Sequence, residues 1–116
     1  MTPWHTVAQR SDIPRQGARV LQLGAMRIAV FRTVDDRLYA LEDRCPHRGG
    51  PLSEGIVHGQ CVTCPLHSWT LDLTSGCAVG PDEGAVRTFP VRLVQGAVQI
   101  RLTRERSHEE ASIASL

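Results

Sequence analysis

The stretch Cys45-Pro46-His47-Arg48-Gly49-Gly50-Pro51-Leu52, followed by Cys64-Pro65-Leu66-His67-Ser68-Trp69, decides how this chain is read. Each segment sets one thiol close to one imidazole, and sixteen residues lie between His47 and Cys64. A thiolate is a soft ligand and an imidazole a borderline one. Two copies of such a mixed pair suit a centre with two metals of unequal character. A [2Fe–2S] cluster in which two His replace two Cys on one iron is such a centre. Four Cys and His ligands also suit one structural zinc ion. Zinc loops normally leave about two to four residues between paired ligands, whereas a single residue separates Cys45 from His47. That spacing strains a shared tetrahedron and fits two side chains that serve different irons. C-x-x-H loops do occur around zinc, so a zinc-stabilised interaction module stays open as an alternative.

The remainder of the chain bounds the reading. Its 116 residues predict one domain, and 41% hydrophobic content is enough for a core. A net charge of +1 gives no argument for nucleic acid or an anionic membrane. No apolar run reaches transmembrane length, and Met1-Thr2-Pro3-Trp4-His5 lacks a basic-then-apolar signal pattern. A soluble cytoplasmic protein is the expectation. In that compartment four cysteines favour metal over disulfides.

Patterning predicts an all-β fold. Residues 18–23, 26–34 and 37–41 are short apolar-rich runs, separated by Gly24-Ala25 and Asp35-Asp36 as turns. Met26, Ile28 and Val30 alternate with Arg27, Ala29 and Phe31, which predicts a strand with one strongly buried face. Residues 60–63 lead into the second Cys–His segment and 68–73 leave it. Residues 86–94 and 97–102 form a closing hairpin about Gln95-Gly96. Residues 11–16 and 51–55 have room for a helical turn. The expected architecture is an antiparallel sandwich or barrel, with no βα alternation and therefore no dinucleotide fold. The expected organisation is one domain over residues 1–103, a cluster-binding insert at about 43–85 and a polar tail over 104–116.

The pattern C-x-H…C-x-x-H, here CPHRGGPL…CPLHSW, resembles the Rieske iron–sulfur domain. Leu71-Asp72-Leu73-Thr74-Ser75-Gly76 resembles the strand and turn after the second loop, and Gly80-Pro81 the proline loop over the cluster. The resemblance implies a Rieske-type antiparallel β-sandwich with an inserted cluster-binding subdomain. It implies one [2Fe–2S] cluster, with Cys45 and Cys64 on the buried iron and His47 and His67 on the outer one. Within that family the run 49–94 is most similar to small subunits of NAD(P)H-dependent nitrite reductase, mainly through GPLSEGIVHG and GPDEGAVRTFPVR. The resemblance then implies a large catalytic partner carrying FAD, a [4Fe–4S] cluster and sirohaem, which reduces nitrite to ammonium in nitrogen assimilation. A ferredoxin that feeds an aromatic-ring dioxygenase carries the same ligand motif.

Two departures from the high-potential branch of the family bear on the subtype. That branch has an extra Cys in each loop, where this chain has Gly50 and Leu66. It also places a Ser two residues after the second His, where this chain has Trp69. A hydrogen bond to a cluster sulfur stabilises the reduced state, so its loss implies a low potential, on the order of −150 mV.

Other tempting residues have plainer readings. Cys61 makes a C-x-x-C spacing with Cys64, but without a βαβ context it reads as a buried strand cysteine. Cys77 follows a turn glycine. His5, His58 and His108 lack a cysteine at ligand spacing, and His58 reads as a surface residue. Arg48 reads as a docking or a solvated charge, and Trp69 as packing or as a shield for the cluster. Gly49, Gly50 and Gly76 read either as ordinary turn residues or, through their clustering about the ligands, as places where backbone N–H groups approach sulfur. Pro46 and Pro65 restrict their loops, and Pro81 offers an apolar lid. There is no flavin motif and no nucleophile–base pair, so the chain reads as a one-electron carrier rather than a catalyst on its own.

Two ferric ions, two sulfides and two thiolates sum to zero charge when the imidazoles are neutral, so an electron enters more easily than in a four-thiolate core. The ligand imidazoles keep a ring N–H whose acidity is greater in the ferric form. The midpoint potential should therefore fall as pH rises through the alkaline range. A redox titration that stays flat to strongly basic pH would contradict the His47 and His67 assignment.

Overall fold

The computed structural model describes residues 4–46, 50–65, 68–80 and 83–102. Among the described residues ten strands run in chain order: β1 Trp4–Gln9, β2 Gly17–Leu23, β3 Met26–Arg32, β4 Leu38–Glu42, β5 Ile56–His58, β6 Cys61–Thr63, β7 Thr70–Asp72, β8 Thr88–Phe89, β9 Val91–Val94 and β10 Ala97–Arg101. They make three antiparallel sheets, ordered β1-β10-β9, β2-β3-β4-β8 and β5-β6-β7. A 3-10 turn at Leu52–Glu54 lies within the expected 51–55, and one at Arg10–Asp12 overlaps only the first two residues of the expected 11–16. Among the described residues no helix is long and apolar enough to cross a membrane.

The layers follow from β3. Its residues Ile28, Ala29, Val30 and Phe31 are all fully buried. Ile28 and Val30 pack with Ala40, Phe89, Val98 and Ile100, between the two outer sheets of the sandwich. Ala29 and Phe31 point the other way, into a second core with Leu41, Leu52, Val57, Val62, Leu71 and Leu73. The expectation of one strongly buried face on β3 is therefore corrected. The insert covers the second face, and a strand covered on both sides carries a continuous apolar run. Full burial of one side chain the size of Phe31 contributes about 1.5–3 kcal/mol. The β5-β6-β7 sheet is thus held on the sandwich by apolar packing as well as by chain connection.

The run 86–94 is also corrected. It is not one strand: Thr88–Phe89 pairs with β4, and Val91–Val94 pairs with β10. Pro90 stands between them, where the chain leaves one sheet for the other. Proline has no N–H to give to a ladder and suits that crossing. The turn Gln95-Gly96 closes the β9–β10 hairpin with φ of 53° and 85°, the positive pair that two-residue hairpin turns need.

Two strands were not legible beforehand. β1 pairs with β10, from Trp4 opposite Arg101 to Gln9 opposite Ala97, so its partner lies at the far end of the chain. Arg92 and Arg101 stand over the Trp4 ring, at 4.2 and 5.0 Å from its centre. β5 has one buried residue, Val57, between an exposed Ile56 and an exposed His58.

The β3–β4 turn is fixed by charge. Asp36, at φ 68°, accepts hydrogen bonds from Arg15 at 3.0 and 3.1 Å and from Arg32 at 2.8 Å. Arg32 also donates to the carbonyls of Arg10 and Ile13. The hydrogen bonds from Arg15 and then Arg32 hold the Asp36 carboxyl well below the usual range. Its folded pKa lies below its unfolded value of about 3.9. The stability it contributes is therefore complete above about pH 4 and is lost as pH falls through the depressed folded value. D36N should melt below wild type at neutral pH, with the two melting temperatures converging as the pH is lowered toward 2. A constant gap at all pH values would contradict this.

Candidate metal centre

Two loops are built on the strand ends. The first follows β4: Asp43 and Arg44 lead to Cys45, whose N–H donates to the Gly50 carbonyl at 2.8 Å. The second is the β6–β7 connection, starting past the Thr63–Thr70 pair. There the Cys64 N–H donates to the Trp69 carbonyl at 2.7 Å, and the Ser68 N–H to the Cys64 carbonyl at 3.2 Å. Each loop is thus pinched the same way, by its cysteine N–H reaching the carbonyl five residues further on. The repeated spacing read in the sequence is a repeated backbone closure in space.

The thiols face inward. Cys45 is 1% exposed and Cys64 2% exposed, and both belong to the core formed by Leu52, Val62, Leu71 and Leu73. Neither forms a disulfide. Two thiols in one apolar cluster fit a sulfur-bound metal centre, where a bound cation would compensate them as thiolates. His47 and His67 fall within the two pinched loops in chain order but lie outside the described residues, as do Arg48, Gly49, Pro81, His108 and the tail 104–116. The structure thus places both cysteines of the expected ligand set in one apolar core.

The two loops are joined by close backbone packing. Gly55, just after the 3-10 turn that leaves the first loop, lies against the carbonyl of Thr63, the residue before Cys64. A Cβ at Gly55 would sit 2.2 Å from that oxygen. On the other side Gly84, with φ of 150°, packs on both Pro46 and Trp69, and a Cβ there would lie 3.0 Å from the Pro46 Cβ. The segment around Gly84 therefore borders the first loop and the indole that follows the second. Trp69 is half-buried against the same core, in keeping with its packing role.

The role expected of Gly76 is corrected. Its N–H donates to the Asp72 carbonyl at 2.7 Å and so is not directed at sulfur. The reading of Cys61 is corrected in part: it lies on β6 but is half-buried, opposite Asp72. Burial first, then the Asp72 carboxylate, pushes its thiol up, so it stays protonated at neutral pH and is a poor rival ligand. His58 is exposed, and its Nε2 contacts the Thr63 Oγ1 at 2.7 Å.

Sequence and structure comparisons agree with this geometry. The Rieske [2Fe–2S] domain profile matches residues 3–90. The ferredoxin subunit of anthranilate 1,2-dioxygenase from Burkholderia cepacia is 35% identical over 105 residues, covering 88% of this chain and 94% of that one. Among solved structures, the complex of reduced oxygenase and oxidised ferredoxin in carbazole 1,9a-dioxygenase matches with a TM-score of 0.76 at 31% identity. That match covers 84% of this chain and 92% of the other. A provisionally assigned small subunit of NADPH nitrite reductase matches with a TM-score of 0.76 at 25% identity, covering 87% and 99%. The chain belongs to the Rieske [2Fe–2S] domain family. It is an electron-transfer protein of that family, with one Rieske cluster.

The Gly55 contact yields a direct test. G55A should destabilise the chain by about 1–3 kcal/mol, the usual cost of forcing extra volume into packed structure. It should also lower the iron content of the purified protein, because the displaced carbonyl belongs to the residue before Cys64. Thermal unfolding and iron analysis unchanged from wild type would contradict the packing described.

Proposed function

We propose that this chain is the small, Rieske subunit of a cytoplasmic NAD(P)H-nitrite reductase, organised as one domain over residues 1–103 with its cluster insert at about 43–85. When bound, the cluster takes up and gives back one electron. The protein's own part is to hold it: Cys45 and Cys64 supply the buried sulfur ligands, and His47 and His67 the outer nitrogen ligands. The insert packs over Ala29 and Phe31 and keeps water from the sulfur side. The imidazole side is the face offered to a larger partner carrying FAD, a [4Fe–4S] cluster and sirohaem. The observation that carries the reading is the segment GPDEGAVRTFPVR, residues 80–92, which resembles the nitrite reductase small subunits. Through Gly84 this segment lies against Pro46 of the first loop, so the subtype-bearing stretch borders the centre.

A second reading has its own support. The 35% identity to a ferredoxin subunit, over nearly all of that protein, favours a carrier between a reductase and an aromatic-ring oxygenase. The two readings differ in the acceptor. In the first, the chain co-purifies with a sirohaem protein, and nitrite-dependent NAD(P)H oxidation by that protein depends on it. In the second, the reduced chain is reoxidised by a ring-hydroxylating oxygenase with its aromatic substrate, and a sirohaem partner neither binds nor reoxidises it. Co-expression with candidate large subunits, followed by stopped-flow reoxidation of the reduced chain, decides between them.

A further inference from the structure

Among the described residues Asp43 is the one buried charged side chain, with its carboxylate fully withdrawn from solvent. It stands two residues before Cys45. Three donors converge on it. The Ser53 N–H reaches Oδ1 at 2.7 Å, and the Ser53 hydroxyl reaches Oδ2 at 3.0 Å. Arg27 Nε reaches Oδ2 at 2.8 Å, from a side chain that is 53% exposed. The Asp43 N–H also donates to the Arg27 carbonyl at 2.9 Å.

A buried carboxylate is costly unless it is paired and hydrogen-bonded, so a cheaper side chain is the default at such a position. The two carboxylate oxygens offer acceptors to all three converging donors, whereas an amide would turn its own NH2 toward one of them. The placement gives the arrangement its meaning. Asp43 lies before the first loop and Ser53 after it, in the 3-10 turn that contains the fully buried Leu52. One carboxylate therefore ties the two ends of the Cys45 loop together, and Arg27 ties that carboxylate to β3.

We propose that Asp43 is a positioning residue for the iron bound at Cys45, and that the Asp43–Arg27 pair sets part of the charge the cluster experiences. The mechanical half acts through Ser53, which keeps the loop closed. The electrostatic half is a negative group in the interior and a positive one at the surface, each biasing electron uptake in its own direction. Low dielectric around the core makes the Asp43 charge felt more strongly than a surface charge, whereas the half-exposed Arg27 charge is partly screened and has the smaller effect.

The proposal rests on Cys45 being an iron ligand, and the test separates the two ideas. The holo chain and its variants D43N, R27Q, R27Q/D43N and S53A are titrated at one pH, with midpoint potentials followed by visible absorption and by the EPR of the reduced state. D43N removes a negative charge and should raise the potential. R27Q removes a positive charge and should lower it. The double variant should return toward wild type. S53A keeps every charge and the Ser53 N–H bond to Oδ1, so its potential should stay near wild type while loss of the hydroxyl bond to Oδ2 weakens iron retention measurably. A clamp of purely structural role would loosen the cluster in D43N and R27Q alike, with both potentials unmoved or moved the same way, and that result overturns the proposal. Should D43N fail to load, R27Q alone decides: a potential below wild type supports the proposal, and an unchanged one overturns it. A wild-type chain without iron and sulfide would overturn the cluster itself, and this proposal with it.

Discussion

Two thiols buried in one apolar core, in a chain that joins neither to a disulfide, set the terms for the rest of the structure. Neutral, they pack as small apolar groups; a metal ion beside them would hold them as thiolates and compensate the buried charge. The fold is arranged around that pair of side chains. β3 is covered on both sides, by the sandwich through Ile28 and Val30 and by the insert through Ala29 and Phe31. The insert is thereby fixed above the sandwich, and the cysteine loops are fixed at the ends of β4 and β6. Backbone closures from the Cys45 and Cys64 N–H groups, the Gly55 contact on Thr63 and the Gly84 contact on Pro46 hold these loops in place.

Much of this was legible in the residues. The paired Cys–His segments named the site because ligand chemistry is local and its spacing is written in the chain. The strands β2, β3, β4 and β10 were visible because runs of Val, Ile, Leu and Phe are interrupted by turns at Gly24, Asp36 and Gln95-Gly96. What was hidden depends on distant partners. β1 exists because β10, near the far end of the chain, pairs with it. β5 has a single buried residue and no pattern of its own. The second buried face of β3 is created by an insert that joins the sandwich only in three dimensions. Pro90 breaks what looked like one long strand, and a proline in a central-strand pattern was the available signal for that break.

The site shows the same division. Spacing singled out Cys45 and Cys64, which the fold buries in one core, whereas nothing in the sequence pattern singled out Asp43. An aspartate before a cysteine looks like a solvated turn residue, and its burial shows only in the fold, where Ser53 and Arg27 converge on it. Three-letter spacing finds ligands, but the groups that orient ligands come from other strands. The same holds for Gly76, whose backbone N–H serves the turn after β7 rather than the centre. The charge balance around the first loop is therefore a property of tertiary structure, set by one buried carboxylate and one half-exposed guanidinium.

The account as a whole stands on a diiron centre with unlike halves. Anaerobic purification followed by iron, sulfide and zinc analysis, with EPR of the reduced sample, addresses it most directly. The account predicts iron and acid-labile sulfide in equal amounts, with two of each per chain, a red-brown colour, and a rhombic signal on one-electron reduction. One zinc per chain, with no colour and no signal, would contradict it.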